Sequence, residues 1–347
     1  MRFKSLSKRW YSVISGAHFS RLHQKKYRTT DRSQRSLLID TRGSIHILDW
    51  ELFDINKKSL RLFEGPIKTG FDPKSVQFVG SCQGLICSYH GMDYYFVWNP
   101  STKNSRKISG YSSIRQNFTI GVNDIAIIIR GFGYVSSIDD YKIVEIQFVT
   151  SMGTSNFKIS VFKLKGDNWE DITGDDHSLN LWHRCYLRPG TALVDETVHW
   201  LVDITESYTS VIAFDLVEEK IQLQHHCIQL PSSLSAKYDA FLSVVEHRLC
   251  LCNKNQSFIE MWILRDLKWE KHFKIDLGTN FVGGTKFSEW NLFGSSSTDT
   301  LKIMVRPCDG RTHLVVDLNQ CQLKQMLLPH HMYLSFAVSY VESLVCP

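Results

Sequence analysis

The sequence has no apolar run long enough to cross a membrane, which takes about 18 consecutive residues. It has no C-x-x-C pair, and its nine cysteines mostly fall inside apolar segments, as Cys87, Cys250 and Cys252 do. Cysteines used in this way are typical of buried free thiols in a reducing compartment. These absences predict a soluble protein of the cytoplasm or the nucleus, with no membrane partner.

Motifs for common chemistry are missing as well. There is no glycine-rich phosphate loop, nucleophile elbow or H-E-x-x-H, and Gly131-Phe132-Gly133 lacks the third glycine of a dinucleotide site. The neighbouring histidines at 225–226 and 330–331 would point to opposite faces of a strand, which makes poor metal chelates. We therefore predict no enzyme, no catalytic residue, no cofactor and no metal site. A hydrolase or a carbohydrate-binding protein would need acidic residues or stacking aromatics that converge on one side of the fold.

Acidic residues are absent from the first 30 positions, which hold eight Lys or Arg. The whole chain carries a formal net charge of +5, so the remainder carries −3. That remainder shows no basic face that would indicate a nucleic-acid partner. The basic N-terminal segment is therefore a separate feature.

Within that segment, apolar residues recur at three- and four-residue spacing and predict a helix with one apolar face. They are Phe3, Leu6, Trp10, Val13 and Ile14. The residues leave two interpretations open, a mitochondrial presequence or a packing helix, and a third comes from a resemblance described below.

The body repeats one unit: a strand that ends in a large apolar residue, a turn, and a second apolar residue seven positions on. The pairs are Phe53/Leu60, Phe162/Trp169, Phe214/Ile221, Trp262/Trp269 and Val316/Leu323, with Trp98/Ser105 as a polar exception. A further strand precedes each: SLLID, GLICSY, YKIVEIQFV, HWLVDI, RLCLC and LKIMV. We interpret the aromatic anchors, Trp98, Phe162, Trp169, Phe214, Trp262 and Trp269, as packing residues.

Successive anchors lie 45, 64, 52, 48 and 54 residues apart. A period of about 50 residues built from short strands is typical of kelch-like propeller blades. The sequence thus predicts an all-β, kelch-like β-propeller of about six blades, or seven because Ile125 to Ile129 is an extra apolar run. The alternating tail, Tyr333 to Val345, is expected to complete the first blade.

Several motifs follow one another along these strands in a fixed order. They are GSCQGLIC at 80–87, WNPSTK at 98–103, GFGYV at 131–135, DDYKIV at 139–144, VFKLKGDNW at 161–169, VHWL at 198–201, IAFDL at 212–216, LCL at 249–251, and IEMWIL at 259–264 followed by Trp269. The series resembles the F-box-associated domain of plant F-box proteins. The N-terminal RFKSLSKRWYSVISGAHFSRLH resembles the C-terminal half of a plant F-box. The expected domains are a partial, helical F-box over 1–26, a linker over 27–35 and a propeller over 36–347.

The resemblance implies a non-catalytic substrate receptor of an SCF-type cullin-RING ubiquitin ligase. The F-box would bind a Skp-type adaptor, and through it a cullin, with Phe3, Leu6, Trp10 and Ile14 as the remaining contacts. Because Met1 falls within the last third of the F-box pattern, we expect a truncated F-box. The alternative is a protein-binding propeller module without ligase coupling.

The target protein would bind to rim loops, where sequence varies freely on a fixed scaffold. The candidate loops are 111–124, 173–189 and 278–291, which are rich in Gly, Ser, Asn and charge. Trp182, Arg184, Phe281 and Trp290 are the candidate anchors, since aromatics and Arg dominate interface energetics. The identity of the target does not follow from the sequence.

Overall fold

The structure is a computed structural model of the 347-residue chain. It describes residues 7–8, 19, 34–40, 45–49, 61–63, 76–91, 94–111, 125–151, 154–172, 186–205, 208–222, 230–231, 240–245, 247–254, 258–276, 289–291, 302–306, 312–317, 322–327 and 334–347. The chain divides into two compact units, one made of Met1–Ile108 with Lys286–Pro347 and the other of Ser109–Thr285. Phe3, Leu6, Trp10 and Ile14 of the predicted N-terminal helix lie outside the described residues, and the helix stays a prediction.

The first unit contains three four-stranded antiparallel sheets. Sheet 1 consists of β1 (Gln34–Asp40), β2 (Ile45–Asp49), β3 (Arg61–Phe63) and β24 (Leu334–Val341), in the order β24-β1-β2-β3. Sheet 2 consists of β4 (Val76–Cys82), β5 (Leu85–His90), β6 (Tyr94–Trp98) and β7 (Ser105–Ser109). Sheet 6 consists of β20 (Glu289–Asn291), β21 (Lys302–Arg306), β22 (Thr312–Asp317) and β23 (Gln322–Leu327).

The second unit contains three more sheets of the same kind. Sheet 3 consists of β8 (Ile125–Val135), β9 (Asp140–Ser151), β10 (Thr154–Lys163) and β11 (Asn168–Ile172). Sheet 4 consists of β12 (Tyr186–Val194), β13 (Thr197–Thr205), β14 (Tyr208–Asp215) and β15 (Lys220–Ile221). Sheet 5 consists of β16 (Ala240–Val245), β17 (Arg248–Lys254), β18 (Phe258–Arg265) and β19 (Lys268–Asp276).

The all-β prediction is confirmed in the described residues, and the six strands expected before the anchors all exist. Each is the second strand of its sheet: β1, β5, β9, β13, β17 and β21. The run Ile125 to Ile129, which left room for a seventh blade, is the first half of β8. The number of propeller blades stays a prediction.

Three of the seven-residue pairs prove to be cross-strand partners. Phe162 faces Trp169, Phe214 faces Ile221 and Val316 faces Leu323, each across the third and fourth strands of a sheet. In the first two pairs the turn between these strands has four residues, which sets the spacing. Phe53 and Leu60 lie outside the described residues.

Trp262 and Trp269, which are also seven positions apart, are not cross-strand partners. Trp269 faces Leu264, and Trp262 faces Lys271. The reason is that the turn between β18 and β19 has only two residues, Asp266 and Leu267, both with positive φ, as a type I′ hairpin requires. A turn two residues shorter moves the partner of Trp269 two positions along β18.

Sheet 4 shows how the sheets of the second unit are held together. One of its faces joins sheet 3 in an apolar cluster that includes Trp200, Phe214 and Ile146. The other face joins sheet 5 in a second cluster that includes Leu201 and Trp262. Alternate residues of β13 thus serve opposite neighbours, so both faces of the sheet are buried. The cysteines predicted to be buried thiols, Cys87, Cys250 and Cys252, are buried in their strands.

The C-terminal segment completes sheet 1, as expected. Strand β24 pairs with β1 in antiparallel register from Gln34–Val341 to Asp40–Leu334. Beyond it, Ser343 lies against Gly84, where a Cβ would approach the Ser343 Oγ to 1.9 Å. Gly84 also has φ +85°, so the second glycine of the GSCQG motif meets two demands at once.

Asn99, from the WNPSTK motif, ties the same segment to sheet 2. Its side chain is 0% exposed, and Nδ2 donates to the carbonyl oxygens of Ser343 (3.1 Å) and Val345 (2.7 Å). Its Oδ1 accepts from the backbone N–H groups of Ser101 (2.8 Å) and Thr102 (3.2 Å). One carboxamide thus fixes both the turn after β6 and the tail after β24.

We expect Asn99→Ala to lower the free energy of unfolding by roughly 3 kcal/mol, because it leaves several buried backbone groups without partners. Removal of residues 343–347 takes away the same contacts, so the two changes together should cost less than their sum. Urea unfolding of the single and combined variants measures both effects. Asn168→Ala, at the exposed start of β11, is the control and should change stability by less than about 0.5 kcal/mol. Additive losses would contradict the shared role.

His90, at the end of β5, is a buried histidine of the first unit. Its side chain is 4% exposed, stacks on Tyr94 at a centroid distance of 4.8 Å, and lies with Nε2 3.0 Å from Ser88 Oγ. Burial, and then the charge of Lys107, lower the pKa of His90 from 6.5 to about 4. The folded protein therefore holds a neutral imidazole here.

Because the folded pKa is below the unfolded one, protonation of His90 favours the unfolded chain. We expect stability to fall as the pH drops from about 6.5 to about 4, with His90 contributing at most about 3 kcal/mol of the loss. His90→Phe should flatten this part of the pH profile in urea unfolding. His247→Asn, at an exposed turn position with positive φ, should leave it unchanged. Equal profiles for wild type and His90→Phe would refute the assignment.

Candidate protein-binding surface

In each antiparallel sheet of the second unit, the ends of the strands form two different sides. On one side, short turns join the first strand to the second and the third to the fourth. In the described residues these turns are 136–139, 164–167, 195–196, 216–219, 247 and 266–267, and we call this the short-turn edge. At the opposite edge the second strand ends and the third begins, and the chain leaves one sheet for the next.

Glycines of the GFGYV motif let sheets 3 and 4 approach each other. A Cβ on Gly131 would lie 2.8 Å from Trp200 Cζ2 and 2.8 Å from Val198 Cγ1. A Cβ on Gly133 would lie 2.4 Å from Leu216 Cδ1. Trp200 Nε1 also donates to the Arg130 carbonyl oxygen at 2.8 Å, so the close approach includes a buried hydrogen bond between the sheets. Both glycines are therefore explained by packing between the two sheets, and not by a dinucleotide-binding loop.

The DDYKIV motif supplies polar contacts at the short-turn edge. Asp140 accepts from the Lys165 backbone N–H at 3.1 Å, which ties the two turns of sheet 3 together. Lys142, buried, donates to the Leu216 carbonyl oxygen at 2.5 Å and pairs with Glu219 Oε1 at 2.8 Å. The motif therefore links sheet 3 to the turn 216–219 of sheet 4, and Asp140 and Lys142 serve the stability of the fold.

The ion pairs continue along this edge. Lys163 donates to Glu170 Oε2 and lies 3.6 Å from Glu219 Oε1. The hydrogen bond to Glu170, reinforced by Glu219, raises the pKa of Lys163 above 10.5 in spite of its burial. Ser136 N–H donates to Glu196 Oε1 at 2.8 Å, a second link between sheets 3 and 4. The edge is thus a fixed surface with paired charges.

We expect Gly131→Ala to lower the free energy of unfolding by about 1–3 kcal/mol, because the added methyl group overpacks the contact with Trp200 and Val198. The matched control is Gly166→Ala, in the exposed turn of sheet 3. There a Cβ comes within 3 Å only of Asn168 Oδ1, the end of a rotatable side chain. Its stability should be unchanged or slightly raised. Urea unfolding measures both; equal effects would contradict the role given to Gly131.

Three exposed apolar side chains stand on the short-turn edge, one in each sheet of the unit. Ile138 is 49% exposed, Val217 is 43% exposed and Leu267 is 52% exposed. Leu267 also has φ +60°, a left-handed conformation that costs a non-glycine residue about 1–2 kcal/mol. Apolar residues on a rigid, charged edge are suited to contact another protein. Sequence reasoning missed them because it searched the long loops.

A polar cluster anchors the start of one predicted binding loop. Tyr111 donates through its hydroxyl to Asp171 Oδ2 (2.8 Å) and accepts from Lys158 Nζ (2.7 Å). Lys158 and Asp171 pair at 2.8 Å, and Ser160 Oγ donates to Asp171 Oδ1 at 2.9 Å. Residue 111, where the predicted loop 111–124 begins, is thereby fixed to the third and fourth strands of sheet 3, β10 and β11.

Two pKa values reflect this cluster. Burial opposes the charged form of Lys158, but the hydrogen bonds to Asp171 and Tyr111 outweigh it and raise the Lys158 pKa above 10.5. Burial likewise opposes ionised Asp171, yet the bonds from Lys158, Tyr111 and Ser160 hold its pKa below 3.8. Both groups are therefore charged at neutral pH, and the cluster acts as a salt-bridged anchor.

Of the predicted target-binding residues, Trp290 lies on β20, where it faces Val305 of β21. Trp182 and Arg184, between β11 and β12, and Phe281, after β19, lie outside the described residues. The structure therefore does not test whether the four lie together, and they stay predictions.

The described residues include no group of three His, Cys, Asp or Glu side chains arranged to hold a metal ion. Over the same part of the chain, no helix has the length and apolar character needed to span a bilayer.

These observations define an all-β protein built from repeated four-stranded sheets whose shared motifs serve packing between sheets. Residues 37–346 match the family described as F-box associated beta propeller domain, and the chain belongs to that family.

Similar proteins are known from Arabidopsis thaliana. F-box protein CPR1 is 27% identical over 297 residues, which cover 79% of this chain and 68% of that protein. F-box/kelch-repeat protein At3g23880 is 22% identical over 81% of this chain and 76% of its own length. Among solved structures, TolB from Acinetobacter baumannii aligns with a TM-score of 0.47 at 9% identity, over 92% of this chain and 71% of TolB.

Proposed function

We propose that this protein is the substrate-recognition subunit of an SCF-type cullin-RING ubiquitin ligase. The observation that carries the proposal is the family match over residues 37–346, together with relatives named as F-box proteins. The N-terminal sequence adds support, since Trp10, Ile14-Ser15, Phe19 and His23 follow the spacing of a plant F-box.

In this role the protein performs no bond chemistry. The N-terminal segment binds a Skp-type adaptor, and through it a cullin, by way of Phe3, Leu6, Trp10 and Ile14. The propeller domain binds a target protein and holds it beside the charged ubiquitin-conjugating enzyme. Tethering raises the effective concentration of the target beside that enzyme, so the receptor promotes ubiquitination without a catalytic site of its own. The proposed location is the cytoplasm or the nucleus.

Two parts of the propeller domain are candidates for target binding. The first consists of the long loops with Trp182, Arg184, Phe281 and Trp290. The second is the short-turn edge, where Ile138, Val217 and Leu267 are exposed beside paired charges. The edge is fixed by hydrogen bonds between sheets, so little conformational freedom would be lost on binding.

Copurification with a Skp-type adaptor tests the proposal. The whole chain should capture the adaptor, and Trp10→Ala together with Ile14→Ala should abolish capture because the apolar face of the N-terminal segment is lost. Leu267→Ser, on the short-turn edge, is the matched control and should retain full capture, since it changes only the target-binding domain.

Two outcomes decide between the alternatives. If neither this chain nor a version extended upstream of Met1 captures adaptor, the ligase role is refuted. If a target binds the propeller domain while adaptor capture fails, the protein is a binding module without ligase coupling.

A further inference from the structure

Sheet 5 contains a buried polar pair that takes no part in the contacts described above. Asn253 on β17 and Glu260 on β18 face each other across the two strands, and they are 0% and 3% exposed. Each lies two residues beyond a member of the apolar cluster shared with sheet 4: Leu251 precedes Asn253, and Trp262 follows Glu260. The apolar layer between the two sheets therefore ends in a carboxamide and a carboxylate that are closed off from solvent.

The charge of this pair is balanced, but its hydrogen bonding is incomplete. Lys271 Nζ donates to Glu260 Oε1 at 2.6 Å and lies 5.5 Å from the centre of the Trp262 ring. Glu260 Oε2 and both polar side-chain atoms of Asn253, Oδ1 and Nδ2, have no hydrogen-bond partner among the described residues. Polar atoms buried in this way lose their hydration without compensation.

The surrounding strands fix the geometry of the pair. A register shift between Met261 and Trp262 places Lys271 opposite Trp262, from where its side chain reaches Glu260. Asn253 is held between β16 and β18, where it faces Ala240 as well as Glu260. Asn253 and Glu260 therefore occupy opposed positions on the face that packs against sheet 4.

The unpaired atoms specify what can bind there. Two of them, Glu260 Oε2 and Asn253 Oδ1, accept hydrogen bonds, and Asn253 Nδ2 donates. An ammonium or guanidinium group cannot accept from Nδ2, and an anion cannot donate to a carboxylate. A water molecule donates twice and accepts once, and buried waters typically make about three hydrogen bonds.

We propose that the Asn253–Glu260 pair binds one buried water molecule that bridges β17 and β18. The water donates to Glu260 Oε2 and Asn253 Oδ1 and accepts from Asn253 Nδ2. It thereby completes the polar end of the interface between sheets 4 and 5. This binding site is independent of the proposed ligase role.

The direct test is a crystal structure of the whole chain at a resolution that shows ordered water. We expect one water within about 2.7–3.2 Å of all three atoms. A direct hydrogen bond between Asn253 Nδ2 and Glu260 Oε2, or three atoms with no water beside them, would overturn the proposal.

The change in stability caused by Asn253→Leu gives a second, independent test, because the sign of that change depends on whether the water is bound. If the water is present, the substitution removes two of its three hydrogen-bond partners. The water is then no longer held, and Glu260 Oε2 is left unpaired. The unfolding equilibrium constant should then rise by roughly tenfold. If the water is absent, the substitution removes an unpaired polar group and the constant should fall.

Ser210→Ala is the matched control. Ser210 Oγ on β14 is also buried without a partner among the described residues, but it is a single hydroxyl and offers no three-bond site. Its removal should leave the unfolding constant unchanged or lower it. An unfolding constant that falls in Asn253→Leu as well would refute the bound water.

Discussion

A four-stranded sheet that is apolar on both faces is stable only when both faces are covered, and this requirement governs the whole second unit. Sheet 4 meets it by giving alternate residues of β13 to opposite neighbours, Trp200 to sheet 3 and Leu201 to sheet 5. The ring of Trp200 packs where β8 carries no side chain, at Gly131. The glycine, the tryptophan and the hydrogen bond from Trp200 to the Arg130 carbonyl oxygen belong to a single contact.

The shared motifs of the family are largely explained by such contacts. Gly84 admits the C-terminal segment, Asn99 binds it, and Lys142 joins two sheets through the Leu216 carbonyl oxygen. Residues that hold the sheets together in this way cannot change without loss of stability. If the domain binds a target as proposed, the contacts would fall to positions outside the motifs, such as Val217 and Leu267 on the short-turn edge.

Local patterns in the sequence predicted much of the fold. The seven-residue spacing identified Phe162 with Trp169 and Phe214 with Ile221, because a four-residue turn places residues so spaced opposite each other. At Trp262 the same spacing does not mark partners, because Asp266 and Leu267 form a shorter turn without the glycine that usually marks one. Among the contacts between distant segments, the sequence predicted that the tail joins the first sheet, but not the side-chain bonds that hold the tail in place. The bond from Asn99 to Val345 spans 246 positions, and no local pattern encodes it. The exposed residues of the edge carry no periodic signal, so the surface could not be predicted either.

The pairing of β24 with β1 has a consequence for synthesis on the ribosome. Sheet 1 receives its fourth strand from residues made almost 300 positions later, which takes about 15–60 s at typical rates of elongation. Throughout that interval β1 presents an unpaired edge to other nascent chains and to chaperones. The sheets of the second unit need no such late strand and can form earlier. The speed of translation between the codons for β1 and those for β24 is thus a variable that sets how long this protein is exposed to misassembly.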